Sequence, residues 1–374
     1  MANYLNYIKP VCTRVFSTLL AFLFGLCVSA QSFVADGISY RVTSDNEVAA
    51  FDSKLEVTVI PDEVSYNDKT YKVTSVCGYD PGVSYGETHG WGSVGKLILG
   101  KNIKVIRSSA FYIRNSHDGT NDLNLDEIEL NEGLETIESN AFYYSKIREI
   151  KLPQTLKSIG NDAFCGARIH EIKLPPSLVS IGDNAFRYLD LRGSLVIPST
   201  VSSYGSLAFN LNYLSSIDQG YDAKGNKVVS TDGIIYKRTG SGKVDTSYVY
   251  SFANNNNTHP VIPSGVKTIG PYAFYYSRIQ SISLPEGLTT IGYNAFELAD
   301  LRGTVTIPST VTSIGSNAFY KAKTWTSFNY YMTKIVNKTN RTFDWRSITG
   351  GPSAANFVTG TVENWYGDIE VVRG

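Results

Sequence analysis

Gly82-Val83-Ser84-Tyr85-Gly86 sets a serine between glycines at the spacing of a nucleophile elbow, where a sharp turn presents the hydroxyl for acyl transfer. That turn requires a strand before the serine and a helix after it, and here Gly- and Tyr-rich loop stands on both sides. Gly240-Ser241-Gly242-Lys243 imitates a phosphate-cradling loop. No glycine precedes Gly242 by five residues, however, and Val244 stands where a metal-binding hydroxyl is needed, so the stretch reads as a hairpin turn. Cys165 and His170 are close enough in sequence for a thiol–imidazole pair. Asp122-x-Asn124-x-Asp126 begins like a calcium loop, but Glu127 occupies the glycine position, and Leu123 and Leu125 read as the inward side of a strand. The four histidines, His89, His117, His170 and His259, show no metal-ligand spacing. These residues assemble no catalytic set, no metal site and no cofactor site. The expectation is a protein that is not an enzyme.

The elements that would have to position any chemistry are repeats. Ala-Phe recurs with its phenylalanine at 111, 142, 164, 186, 209, 274, 296 and 319. Five residues before each stands Ile106, Ile137, Ile159, Ile181, Tyr204, Ile269, Ile291 or Ile314, followed by Gly in six of the eight cases. Three residues earlier again come Ile103, Leu134, Leu156, Leu178, Val201, Val266, Leu288 and Val311. Ile150-Lys151-Leu152 and Ile172-Lys173-Leu174 alternate with period two, the mark of a strand buried on one face. Pro153, Pro175, Pro198, Pro263, Pro285 and Pro308 end those strands. Leu-x-x-Ile-Gly then supplies a second apolar ledge and a corner, and Ala admits the ring of the following Phe. One such coil cannot bury its own apolar side, whereas stacked coils share a continuous core, so the phrase builds a solenoid. Cys165 directly follows a marker phenylalanine and is expected to be a structural thiol.

Composition agrees with a large core and narrows the partners. Of 374 residues, 42% are apolar, and 34 Lys+Arg balance 34 Asp+Glu. The absence of a long basic run argues against nucleic acid or an anionic membrane surface as the main partner.

The phrase Leu-Pro-x-x-Leu-x-x-Ile-Gly-x-x-Ala-Phe resembles the leucine-rich repeat of the BspA-like bacterial surface proteins, over roughly residues 96–210 and 261–325. The resemblance implies a mainly β leucine-rich repeat solenoid, with parallel strands at one per 22–23-residue coil. It also implies adhesion to host or matrix proteins or to other cells. The family phrase often carries Cys three residues after the Phe, where this chain has Ser145, Ala167, Leu189, Ser277, Ala299 and Ala322, all small or apolar and expected to face inward.

Several segments lie outside the repeat. Lys9 and Arg14, the apolar run Val15 to Val28 and the small residues Val28-Ser29-Ala30 read as a secretory signal peptide over 1–30, cut before Gln31. An uncut anchor is the alternative, although the run falls short of the roughly 20 residues of a membrane span. Cleavage would remove Cys12 and Cys27, leaving Cys77 and Cys165 in different coils as buried free thiols. Residues 31–95 are expected to form an N-terminal β cap and first coil, and 96–210 a first repeat block. Ile234-Ile235-Tyr236 and Tyr248-Val249-Tyr250 mark an inserted β-hairpin within 211–260, like an insert in other members of that family. A second block covers 261–325 and a C-terminal cap 326–374, with Asn337, Asn340, Trp345 and Trp365-Tyr366. The long first interval, from Phe111 to Phe142, places an extra loop within Arg114–Asp122.

Two surfaces are candidates for recognition. If Ile128, Ile150 and Ile172 point inward, Glu127, Glu149 and Glu171 form one outward column, and Glu129, Lys151 and Lys173 the next. Later coils put Ser281, Ser283, Thr304 and Thr306 at the same places, so a solvated polar face is the favoured reading of this pattern. Next to the markers stand Tyr112, Tyr143, Tyr144, Tyr188, Tyr275, Tyr276 and Tyr320, which register would bring to one edge. Tyrosine there serves either recognition of a protein or glycan ligand, or packing against the neighbouring coil. The expected protein is exported, extracellular or on the cell surface. A periplasmic or envelope scaffold, or a polysaccharide binder, is the other reading.

Overall fold

The computed structural model describes residues 31–78, 91, 94–112, 125–210, 212–253, 256–322, 333–339, 341–350, 356–357, 360–362 and 369–373. The signal peptide over 1–30, the Arg114–Asp122 loop, Asn340 and Trp365-Tyr366 lie outside them.

The chain is a mainly β solenoid whose coils are tied together by three stacked features. The first is a parallel ladder of two-residue strands, Val105–Ile106, Thr136–Ile137, Ser158–Ile159, Ser180–Ile181 and Ser203–Tyr204, paired so that Ile106, Ile137, Ile159, Ile181 and Tyr204 form one row. Thr268–Ile269, Thr290–Ile291 and Ser313–Ile314 repeat it in the second block. The second is the phenylalanine column. Ring centroids of Phe142 and Phe164 are 5.1 Å apart with planes 4° from parallel, and the pairs Phe164–Phe186, Phe186–Phe209, Phe274–Phe296 and Phe296–Phe319 stack likewise. The third is a backbone ladder in which six of the eight marker N–H groups donate to the alanine carbonyl of the next coil, as in Phe142 to Ala163 at 2.7 Å and Phe164 to Ala185 at 2.9 Å. The residues eight before each marker are all fully buried, and so are the marker rings. The six positions where the family phrase often has cysteine are buried as well.

The backbone takes the left-handed conformation two residues before every marker, at Ser109, Asn140, Asp162, Asn184, Leu207, Tyr272, Asn294 and Asn317. Asn and Asp predominate because their short polar side chains tolerate that conformation best. Positive φ returns two residues after the marker at Tyr144, Gly166, Tyr188, Tyr276, Leu298 and Lys321.

The strand ladder runs at the Leu-x-x-Ile-Gly ledge rather than at the Ile-x-Leu alternation expected to carry it. Segments 147–152 and 169–174 belong to no strand, although Leu152 and Ile172 are buried and Lys151 and Lys173 exposed. Alternating burial requires only an extended backbone, so the pattern reported a buried face and not a hydrogen-bonded neighbour. The Ile-x-Leu track does pair elsewhere, in Val57–Val59, Lys96–Ile98 and Glu127–Glu129, and in the longer strands Arg192–Val196 and Gly303–Ile307.

Each block opens on a hairpin with the same phrase. Asp36-Gly37-Ile38-Ser39-Tyr40 leads the antiparallel pair Ile38–Ser44 and Glu47–Ser53, and Asp232-Gly233-Ile234-Ile235-Tyr236 leads Ile234–Arg238 and Val244–Phe252. Val244–Phe252 then pairs in parallel with Thr268–Ile269 and starts the second ladder, with the Phe252 ring 5.2 Å from that of Phe274 and tilted by 36°. The insert therefore holds two hairpins, the expected one being the second along the chain. Tyr213–Tyr221 extends the Arg192–Val196 strand in parallel and turns back antiparallel through Lys227–Ser230. Register shifts at Gly193/Ser194 and between Asp218 and Tyr221 break its period-two pattern, which hid it in the sequence.

The seam between block and insert is polar. Arg238 donates to the carbonyls of Ile197 at 3.1 Å, Gln219 at 2.6 Å and Gly242 at 2.7 Å, and the Tyr204 hydroxyl donates to the Tyr236 carbonyl. Tyr204 departs from the isoleucine row because only a hydroxyl reaches that acceptor. At the C-terminal end, a short helix, Trp345–Thr349, supplies the last coil's partners: Phe319 N–H donates to the Ile348 carbonyl at 3.0 Å, and Trp345 is fully buried.

Coil spacing leaves no room at the corner glycines. A Cβ on Gly160 would lie 2.5 Å from the Ser139 nitrogen of the preceding coil, whereas one on Gly240 meets nothing within 4 Å. Gly160→Ala is expected to lower stability by ~1–3 kcal/mol, and Gly240→Ala to leave the urea midpoint unchanged within about 0.5 kcal/mol.

Candidate functional site

The reactive residues of the sequence are not brought together. Cys165 is buried at 4% exposure, while the His170 side chain is 61% exposed and points its Nδ1 at Asp190 Oδ2, 3.6 Å away. Burial pushes the Cys165 thiol up to about 12, the opposite of an activated nucleophile. Cys77 is also buried, and no disulfide joins the two. Gly240-Ser241-Gly242-Lys243 is the turn of the second hairpin, closed by Thr239 N–H to Lys243 O at 2.9 Å and Gly242 N–H to Thr239 O at 2.8 Å. Asp126 is exposed; Asp122, Leu123 and Asn124, the Gly82–Gly86 stretch, His89 and His117 lie outside the described residues. Among the described residues no cluster of three or more His, Cys, Asp or Glu could hold a metal, and no helix is long and apolar enough to cross a membrane.

The charged face lies on the Ile-x-Leu track. Glu127, Glu129, Glu149, Lys151, Glu171 and Lys173 are all exposed. Lys96 bridges Glu127 at 2.7 Å and Glu129 at 2.6 Å, and the two carboxylates hold its ammonium above the usual lysine range. Among the described residues Glu149, Lys151, Glu171 and Lys173 form no ion pair.

The tyrosines occupy one edge because they flank the markers, and the left-handed turns there aim their rings. Tyr112 and Tyr143 stack at 5.1 Å, and Tyr144 meets Tyr143 edge-on at 4.7 Å. Some of these rings pack against neighbouring coils: a Cβ on Gly166 would sit 2.8 Å from the Tyr144 ring, and Gly350 leaves space for Tyr320. Tyr188 and Tyr276 are 40% and 44% exposed. Arg187, which the sequence reading passed over, joins the two blocks. Its guanidinium lies 4.6 Å from the Tyr188 ring centre and 5.2 Å from that of Tyr275. Asn210 reinforces this contact by donating to the Tyr275 carbonyl at 3.0 Å. Tyr272 and Tyr293, also overlooked, extend the cluster, with Tyr272 edge-on to Tyr275 at 5.7 Å and to Tyr293 at 5.2 Å. Their signal in the sequence was weak, since the contact that joins Tyr293 to Tyr272 spans a whole coil.

Burial raises the Tyr143 hydroxyl to about 12, in the same direction as Cys165. A group whose folded pKa exceeds its unfolded one contributes stability in full below the unfolded value and loses it as pH rises through the folded value. With unfolded references of 9.0 for Cys165 and 10.0 for Tyr143, the urea midpoint should hold up to pH 9 and fall from there to about 12. Cys165→Ala should flatten the first part of that decline.

One family profile, described as BspA type leucine-rich repeat region, matches residues 115–222 and 245–349 in six copies, more than half of the chain. Among solved structures, the pneumococcal vaccine antigen PcpA superposes with a TM-score of 0.58 at 20% identity, covering 82% of each chain. A leucine-rich repeat protein from Eubacterium ventriosum gives 0.54 at 18% identity, covering 83% of this chain and 73% of that one. Both share the solenoid fold. No functionally curated protein sequence matches.

Proposed function

The chain belongs to the BspA-type leucine-rich repeat family, and from that membership we propose an exported, non-enzymatic recognition protein that adheres at the cell surface to host or matrix proteins. The reading rests on one observation: Arg187 between Tyr188 and Tyr275 makes the tyrosines of both repeat blocks a single edge. Tyrosine supplies broad contact area with little side-chain entropy to lose, and arginine and tyrosine are the residues that concentrate binding energy in protein interfaces. The signal-peptide pattern over 1–30 supports export. Two recognition blocks, 96–210 and 261–325, are joined by the insert 211–260 between caps at 31–95 and 326–374. The charges of Glu149, Lys151, Glu171 and Lys173 steer the encounter, and the tyrosine edge holds the partner.

Protease shaving of intact cells, with a periplasmic protein as control, tests the location. The chain should be lost while the control survives; protection of both would put it inside the envelope and make it a scaffold. The edge is tested with immobilised extracellular-matrix proteins. Tyr143, Tyr144, Tyr275 and Tyr276 changed together to Ser should weaken binding at least tenfold, about 1.4 kcal/mol. Full binding by the folded variant would remove the edge from the function.

A further inference from the structure

After the marker Phe186 the chain runs Tyr188-Leu189-Asp190-Leu191-Arg192-Gly193. Leu189 and Leu191 are buried at 1% exposure each, and the alternation turns Tyr188, Asp190 and Arg192 outward on one side. The next coil sets Tyr213 directly beside them: it is the register partner of Arg192, and its N–H donates to the Leu191 carbonyl at 2.8 Å. Asn256, beyond the second hairpin, completes the wall. Tyr188, Asp190, Arg192, Tyr213 and Asn256 together line an open cleft of about 470 Å³.

The polar groups of this cleft are held in place before any ligand arrives. Arg192 Nη2 lies 3.1 Å from Asp190 Oδ2, and His170 approaches the same carboxylate oxygen at 3.6 Å. Arg187 fixes Tyr188, with its guanidinium over the ring and its Nη2 donating to the hydroxyl at 3.2 Å. The second block carries the same Asp-Leu-Arg-Gly phrase at Asp300 to Gly303, with Arg302 Nη2 at 2.8 Å from Asp300 Oδ2. There the ion pair is more enclosed, with side chains 38% and 21% exposed against 72% and 37% for Arg192 and Asp190, and Leu298 stands in place of Tyr188. The phrase on its own therefore belongs to the coil. What distinguishes the first copy is the opened pair flanked by two tyrosines.

We propose that this cleft binds the terminal sugar of a glycan. A pyranose offers an apolar C–H face and a rim of neighbouring hydroxyls. Tyrosine rings suit the first. For the rim, a carboxylate accepts, a guanidinium donates through a fixed fork, and an amide does both. The volume lies in the range of small-ligand sites and the lining is mixed aromatic and polar. A protein partner needs a buried interface of roughly 1,200 Å² or more, far beyond this cleft. The inference deepens the recognition reading by adding a saccharide subsite next to the protein-binding edge.

Saturation-transfer NMR on the full chain, with glucose, galactose, mannose, N-acetylglucosamine and N-acetylneuraminic acid each at millimolar concentration, tests it. At least one sugar should bind, and both Asp190→Asn and Tyr213→Ala should weaken it tenfold or more while keeping the wild-type melting temperature. Asp300→Asn, in the phrase without the tyrosines, should leave binding unchanged. The cleft is overturned if no sugar binds, or if binding survives both substitutions. Matrix-protein binding by the same variants keeps the two readings apart. Its persistence after sugar binding is lost leaves the adhesive edge standing, and its loss in Asp190→Asn and Tyr213→Ala with no sugar bound assigns the cleft to the protein partner instead.

Discussion

The hydrogen bond from a marker phenylalanine N–H to the alanine carbonyl one coil on, made by six of the eight markers, is the constraint that sets the repeat. It holds successive marker loops at one fixed translation, and the rings above it must then stack at 5.1–5.6 Å. Alanine precedes the phenylalanine because a larger side chain would occupy the space that the ring column fills. Glycine follows the isoleucine because the same translation brings the preceding coil's backbone to where a Cβ would be. The small residues of the phrase thus answer to distances between coils, and the large ones to the volume that those distances enclose.

A solenoid of this kind grows without limit unless something ends it, since every terminal coil exposes a row of unpaired backbone groups. This chain ends its blocks with backbone that keeps the translation but abandons the phrase. Lys69–Val76 and Val244–Phe252 each present a strand to the first two-residue rung of a ladder; on the other side the first pairs in parallel with Glu47–Ser53 and the second antiparallel with Ile234–Arg238. The helix Trp345–Thr349 does the corresponding work at Phe319, offering the Ile348 carbonyl where Ala318 serves Phe296 and Ala295 serves Phe274. The midpoint insert is the costliest junction, for it places Arg238 and Gln219 out of water. Their hydrogen bonds to backbone carbonyls satisfy the Gln219 amide nitrogen and both terminal nitrogens of Arg238, together with the strand ends they face.

Function on such a scaffold is confined to what projects from it. Side chains flanking the markers sit on strained left-handed turns, so ring directions there are dictated by backbone and not by side-chain preference. Tyr144 and Tyr320 spend their rings on neighbouring coils, while Tyr188 and Tyr276 remain open. The block junction gathers the open ones, because Arg187 reaches from the first block to the second. An interruption in the repeat thereby becomes the place where the surface departs from repetition, and recognition needs such a departure.

The residues by themselves determined the coil, its period, its buried positions and the inward cysteine-equivalent slots, because each is imposed by the same local contact copied many times. They misplaced the strand ladder, since alternating burial at Ile150 to Leu152 says nothing of which segments approach closely enough to pair. The Tyr213–Tyr221 strand was hidden by its bulges, and the contacts of Arg187 with Tyr275 and of Tyr272 with Tyr293 by the distance along the chain between the partners. Tyr188, Asp190, Arg192 and Tyr213 became one cleft only when Leu189 and Leu191 turned inward and the next coil docked in parallel. Local contacts are written in neighbouring residues, whereas a site shared between coils exists only once the stacking distance and register are set.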